Sequence, residues 1–395
     1  MSETRKLELP FETAEYRDRA RRVRERMAER GIDVLFVTSP PNLLYLTGFQ
    51  SIWYPPRAPL GAVLRADDDQ LVFVDYERHE HLARVLALFD EARFFRYDDA
   101  IDTVADLLRS QAGSGGVVGV ERWSVTPGAP VLDQLCGRLR DAGVAVSDGD
   151  WIVDRVRLVK SPAELVYVTR ASEIVDAAYA SLPDFVRPGR TELEVAAHID
   201  QVMSELGGER AAIETMVSAG PEVWARTHSS PGRRPLEEGD VMYVDSCGVV
   251  ERYHVDVCRT FAIGRDSPGA REILDYTSGS VLEVQRGVRP GDPLDVAQRI
   301  AEEYVFARYS PEQVWWVGGY ALGLGLRPNW VGHTYLSNDA WESFSWEPGY
   351  LTNYENILFS REGGFTASYM ETLLMAEGGI EVLSKLPRTL TVLPV

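Results

Sequence analysis

The sequence predicts a mixed α/β (α+β) protein in two domains, residues 1–155 and 156–395. Three observations carry that prediction. The length of 395 residues exceeds one ordinary domain, and a 45% hydrophobic content is enough for two cores. Short apolar runs alternate with helical stretches in the first half, which implies a mixed sheet covered by helices. The second half opens on a long helical region and then runs through strands, a helix and strands.

The elements follow in order. Residues 12–31 read as a helix stopped by Gly31. IDVLFVTS is a short apolar strand, and PPNLLYLTGF reads as a turn and a second element. LGAVLRA, QLVFVDY and GVVGVE are further strands, with helices expected near 77–90, 101–112 and 128–142. Ser161, Pro162 and Glu164 open the long helix, because Ser caps and Pro tolerates the first turn. VMYVDSCG and RYHVDVCRTFAIG are expected to pair as a hairpin.

Composition narrows the function. A formal net charge of −19 argues against wrapping nucleic acid, which needs a basic surface to release counterions. Cys136, Cys247 and Cys258 leave one thiol over after any pairing, so a reduced, cytoplasmic protein is expected. The charged N-terminal run has no apolar core of a signal peptide. No stretch approaches the roughly 20 apolar residues of a membrane span.

The chemistry lies in four acids. Asp245 and Asp256 fall on the two strands of the expected hairpin, and Glu355 and Glu371 follow in LTNYENILFS and SYMETLLMAEGG. Strand alternation puts His254, Asp256 and Cys258 on one face. Two unpaired carboxylates brought close would repel and raise one pKa, and a cation resolves the conflict. Hard oxygen donors suit Mn, Fe, Mg or Zn, and four acids can bridge two ions about 3.5–4 Å apart. The alternative is that these acids lie at the surface or pair with arginines. Cys247 and Cys258 are expected to pack beside them.

Neighbouring residues sharpen the pattern. RTF follows Asp256, PGYLTNYE leads into Glu355, and METLLMAEGGIEVL surrounds Glu371. These stretches, and more loosely EYRDRARRVRERMAERGIDVLFVTSPPNLLYLTGF, resemble the creatinase/prolidase/methionine-aminopeptidase family, nearest to its creatinase and ectoine hydrolase-like members. The resemblance implies a pita-bread catalytic domain, a smaller creatinase-type N-terminal domain and a homodimer. It assigns Asp245, Asp256, Glu355 and Glu371 to one or two divalent metal ions, with Mn, Fe or Zn as candidates.

The chain also departs from the family. Its peptidases carry Gly-His-Gly where this chain has Gly319, Tyr320 and Ala321, and Arg327 stands where they place a second histidine. GYALGLGLRPNW is similar to the segment of ectoine hydrolases. Tyr320 then has three readings: a metal-bound phenolate, a phenol donating to developing charge, or packing. His254 can replace the missing nitrogen ligand or serve as a structural histidine. His228 resembles the family histidine that moves protons near the scissile bond. In creatinase-like dimers a loop supplies an arginine to the neighbour's site. SIWYPPRAPLG offers Arg57 for a substrate carboxylate, with Trp53 and Tyr54 as pocket walls and Arg327 as a further substrate contact. His79 and His81 lie in a charged helical stretch and are expected to be solvated.

The reaction expected is metal-dependent hydrolysis of a non-peptide C–N bond in a small carboxylate-bearing substrate. His228, Tyr320 and Glu355 act on protons and charge, and a partner loop completes the site. The alternatives are an Xaa-Pro-type metallopeptidase, a metal-dependent lyase or iron-dependent oxidative enzyme, and a non-catalytic binding module.

Overall fold

A computed structural model describes residues 8–332 and 344–395, so the start of the charged N-terminal run lies outside the described residues. The chain forms two compact units, Met1–Arg157 and Leu158–Val395.

In the first unit, strands β1 (Val34–Val37), β2 (Gly61–Arg65), β3 (Leu71–Tyr76), β4 (Glu91–Phe95), β5 (Val117–Val120) and β6 (Ala145–Asp148) form one sheet in the order β4-β3-β2-β1-β5-β6. The β1–β2 and β2–β3 pairs are antiparallel and the other three parallel, the mixed sheet that alternating elements imply. The helix Thr13–Glu29 buries Tyr16, Ala20, Val23 and Met27 at helical spacing, and Gly31 follows with φ of 64°. PPNLLYLTGF does not break into a turn and a second element but folds as one helix, Pro40–Thr47. Pro40 suits its first turn, Gly48 closes it in the left-handed region, and the Glu121 carboxylate accepts the Thr38 and Ser39 amides at its start. β4 and β6 are absent from the sequence reading because they are the sheet's edges. Edge strands bury little, so EARFF and AVSD carry no clean apolar run.

In the second unit, β7 (Met216–Ala219), β8 (Val241–Val250), β9 (Tyr253–Ile263), β10 (Val314–Gly318), β11 (Leu351–Ser360), β12 (Phe365–Ala376), β13 (Gly379–Val382) and β14 (Thr391–Leu393) form the second sheet. Its path is β10-β11-β12-β9-β8-β7, with β13 on β12 and β14 beside β9. The β8–β9 hairpin turns through Glu251 and Arg252, with φ of 48° and 66°, the left-handed pair that a two-residue turn needs. Helix Pro162–Ala180 begins with the expected Ser161/Glu164 capping box. It packs so closely on β8 that a Cβ at Gly248 would lie 2.1 Å from the Ala171 carbonyl oxygen, which requires glycine there.

Candidate active site

Register decides which side chains meet. Residues directly opposite in an antiparallel pair share a face, and the face alternates along each strand. Asp245 pairs with Cys258 and Cys247 with Asp256. Cys258 pairs with Met370, and Met370 with Glu355. Asp245, Asp256 and Glu355 therefore occupy one face of the sheet. Glu371 pairs with Tyr354, next to the Met370–Glu355 pair, and so points to the other face.

On the shared face the acids are buried and near one another. Tyr243 donates to Asp245 Oδ2 at 2.8 Å, while Asp245 Oδ1 is buried with no hydrogen-bond partner among the described residues. Burial, then the Asp256 charge, pushes the Asp245 carboxyl well above the usual carboxylate range. Glu355 is pushed up to about 8 by burial and then by Asp256. The Asn353 amide nitrogen lies between two of these acids, 3.2 Å from Asp256 Oδ2 and 2.7 Å from Glu355 Oε1. The Cys247 thiol packs beside Asp256 at 3.7 Å, and Cys258 is buried.

Tyr320 closes this face. Its hydroxyl donates to Asp256 Oδ2 at 3.4 Å and accepts from Trp330 Nε1 at 3.2 Å. Its backbone is clamped to Asn353, with Tyr320 N at 2.7 Å from Oδ1. Burial and then the charges of Asp256, Glu355 and Asp245 hold the phenol well above its ordinary pKa, so it stays protonated.

Two expected ligands are committed elsewhere. Glu371 accepts from buried Arg259 at 2.8 Å and from half-buried Arg388 at 3.4 Å. His254 accepts the Ala212 amide on Nε2 at 3.0 Å and donates from Nδ1 to the Arg252 carbonyl at 2.8 Å. Both ring nitrogens are used, and burial lowers its pKa to about 4. In this structure it is a neutral structural histidine, the second of its two readings, and not the substitute nitrogen ligand. Among the described residues no three His, Cys, Asp or Glu side chains are placed to hold a metal ion. The donor set as placed does not fit the expected four-acid centre: one acid faces away, and an amide separates Asp256 from Glu355.

The remaining candidates lie outside this cluster of contacts. His228 is exposed in the left-handed region, with φ of 65°, and meets Trp315 edge-on at 4.9 Å. In the first unit Arg57 is exposed, Trp53 meets His79 edge-on at 5.7 Å, and the Tyr54 hydroxyl accepts the Ser51 amide. Arg327 is exposed. His81 is solvated as expected, whereas His79 bonds Asp75 at 3.0 Å. The sequence reading missed Tyr243 and Asn353. Both stand two residues before an acid on a strand, a spacing that already places them on its face.

The fold and this acidic face define a class, and comparison with known proteins agrees with it. The chain matches the Metallopeptidase family M24 over residues 167–375, more than half its length, and the Creatinase/Prolidase N-terminal domain over 19–159. It belongs to the M24 metallopeptidase family, whose members share the pita-bread fold, and it is a hydrolase of that family. It is 26% identical over 365 residues to the ectoine hydrolase of Halomonas elongata, covering 82% of this chain and 85% of that protein. It is 23% identical over 305 residues to the Xaa-Pro dipeptidase of Pyrococcus furiosus, covering 76% and 80%. In fold it is similar to the dipeptidase PepE of Mycobacterium ulcerans, with a TM-score of 0.82 at 23% identity over 98% of this chain and all of that one. Zinc-substituted Escherichia coli aminopeptidase P gives a TM-score of 0.72 at 19% identity over 93% and 95%. No helix among the described residues is long and apolar enough to cross a membrane.

Proposed function

We propose that this enzyme hydrolyses a non-peptide C–N bond, in an amide or cyclic amidine, within a small substrate that bears a carboxylate. One observation carries the reading. The position where M24 peptidases have a histidine holds a protonated tyrosine, aimed at Asp256 and steadied by Trp330. A phenol held this way donates to oxygen or nitrogen as charge develops on it. The relative named as an ectoine hydrolase supports a small non-peptide substrate.

In this scheme Glu355, raised to about 8, exchanges a proton with the attacking water or the leaving nitrogen. The Asp256 and Asp245 carboxyl groups hold the water in place by hydrogen bonding. Tyr320 stabilises the developing oxyanion, and exposed His228 moves the second proton. Arg57, Trp53 and Tyr54 of a second copy in a cytoplasmic homodimer, with Arg327, orient the substrate carboxylate. The family is one of metallopeptidases, and a divalent ion (Mn, Fe or Zn) would supply Lewis acidity. The donors as placed among the described residues do not assemble for one.

Xaa-Pro dipeptide cleavage is the second reading, favoured by Asp245, Asp256 and Glu355 sharing one face in a chain similar to an Xaa-Pro dipeptidase. The test is a paired panel of cyclic amidines and N-acyl amino acids against Xaa-Pro dipeptides. Turnover of the first group alone supports the proposal. Turnover confined to the dipeptides overturns it.

A further inference from the structure

The loop that carries His228 is built on one buried carboxylate. Glu192 is fully buried at the first turn of the helix Glu192–Glu205, and four donors converge on it. Oε1 accepts the Ala219 amide at 2.8 Å and Arg226 Nη1 at 2.6 Å. Oε2 accepts Arg226 Nη2 at 2.7 Å and the Gly232 amide at 2.6 Å. Glu192 thus ties the end of β7 to both sides of the segment 226–232. A Cβ at Gly232 would lie 2.9 Å from Glu192 Oε2, so glycine permits the close approach.

His228 stands between the two pinned points. Its φ of 65° is unusual for a residue with a side chain and costs about 1–2 kcal/mol, so the conformation persists only where the surroundings hold it. Ser229 adds to that hold: its amide bonds the Arg226 carbonyl and its hydroxyl meets Ser218 at 3.0 Å. The imidazole itself is exposed and meets the Trp315 ring edge-on. A rigid base under an exposed ring is the arrangement that reduces the orientational cost of proton transfer.

We infer that Glu192 is the positioning residue for His228, holding its imidazole through Arg226 and Gly232. The inference rests on the reading of His228 as a proton-transfer group. The test uses Glu192→Gln and the milder Arg226→Lys, each with and without His228→Gln, in full-length protein. Histidine-selective NMR reads the His228 ring, identified among six histidines by its loss in His228→Gln. The expected result is loss of the Trp315 ring-current shift at His228 and a fall in kcat on the order of tenfold to a hundredfold, with KM little changed. In the His228→Gln background Glu192→Gln adds nothing further. An unmoved His228 resonance in a folded Glu192 or Arg226 variant overturns the inference, as does a loss that multiplies in the double variant. Full activity of His228→Gln removes the proton-transfer reading instead, and the NMR signal still decides whether Glu192 positions the ring.

Discussion

Glu371 meets Arg259 at 2.8 Å on the face of the sheet opposite Asp256. Arg259 is one residue beyond Cys258, whose side chain shares the Asp256 face, so alternation sends the guanidinium to the far side with Glu371. There it also bonds the Cys258 and Met370 carbonyls, and Arg388 completes the set. Glu371 follows the arginine-paired alternative for an acid in this sequence. Removing one partner of a buried ion pair costs about 3–5 kcal/mol. Glu371→Ala should lose that much in urea unfolding, whereas Asp245→Asn should keep the fold and lose turnover. Equal stability in the two variants would show that the Glu371–Arg259 pair contributes nothing to holding the fold.

Tyr320 should matter through its hydroxyl alone. Tyr320→Phe keeps the ring packed beside Trp330 and removes the donor to Asp256. The expected fall in kcat is about 10²–10³-fold, the effect of deleting one oxyanion donor, with an unchanged circular dichroism spectrum. A variant with wild-type kcat would reduce Tyr320 to packing.

Metal content is a direct check on the donor geometry. With Glu371 held by Arg259 and Asn353 between Asp256 and Glu355, the anaerobically purified protein should carry less than one divalent ion per chain by elemental mass spectrometry. Stoichiometric loading, lost in Asp245→Asn, would mean that the acids rearrange around an ion.

Glu121 should leave a mark on the pH dependence of stability. It is fully buried, accepts the Thr38 and Ser39 amides and the Asn42 side chain, and burial followed by the Asp154 charge raises it from 4.5 to about 8. Between those values the folded chain keeps a proton that the unfolded chain releases. Its contribution is therefore full below about 4.5 and falls as pH rises towards 8. Glu121→Gln will start lower, because its amide faces donors, but its melting temperature should fall less steeply across that window. Parallel slopes for the two proteins would show Glu121 ionised throughout.

The sequence by itself determined much of this protein. Ser161 and Glu164 announced a helix start that forms as a capping box, and the Asp245 and Asp256 strands form the expected hairpin. The neighbours of the four acids carried the family and its fold. Within one strand a period of two is enough to say which residues share a face, which is why Asp256 and Cys258 were legible together. Between strands it is not enough. The pairing of Glu355 with Met370 rather than with Glu371 is a matter of register, and a shift of one residue exchanges the two faces. The tertiary structure alone decided that Glu371 joins Arg259, that Asn353 enters the acidic face, and that both His254 nitrogens bond the backbone. Each of these depends on residues far apart in sequence that pairing and packing bring within hydrogen-bond reach.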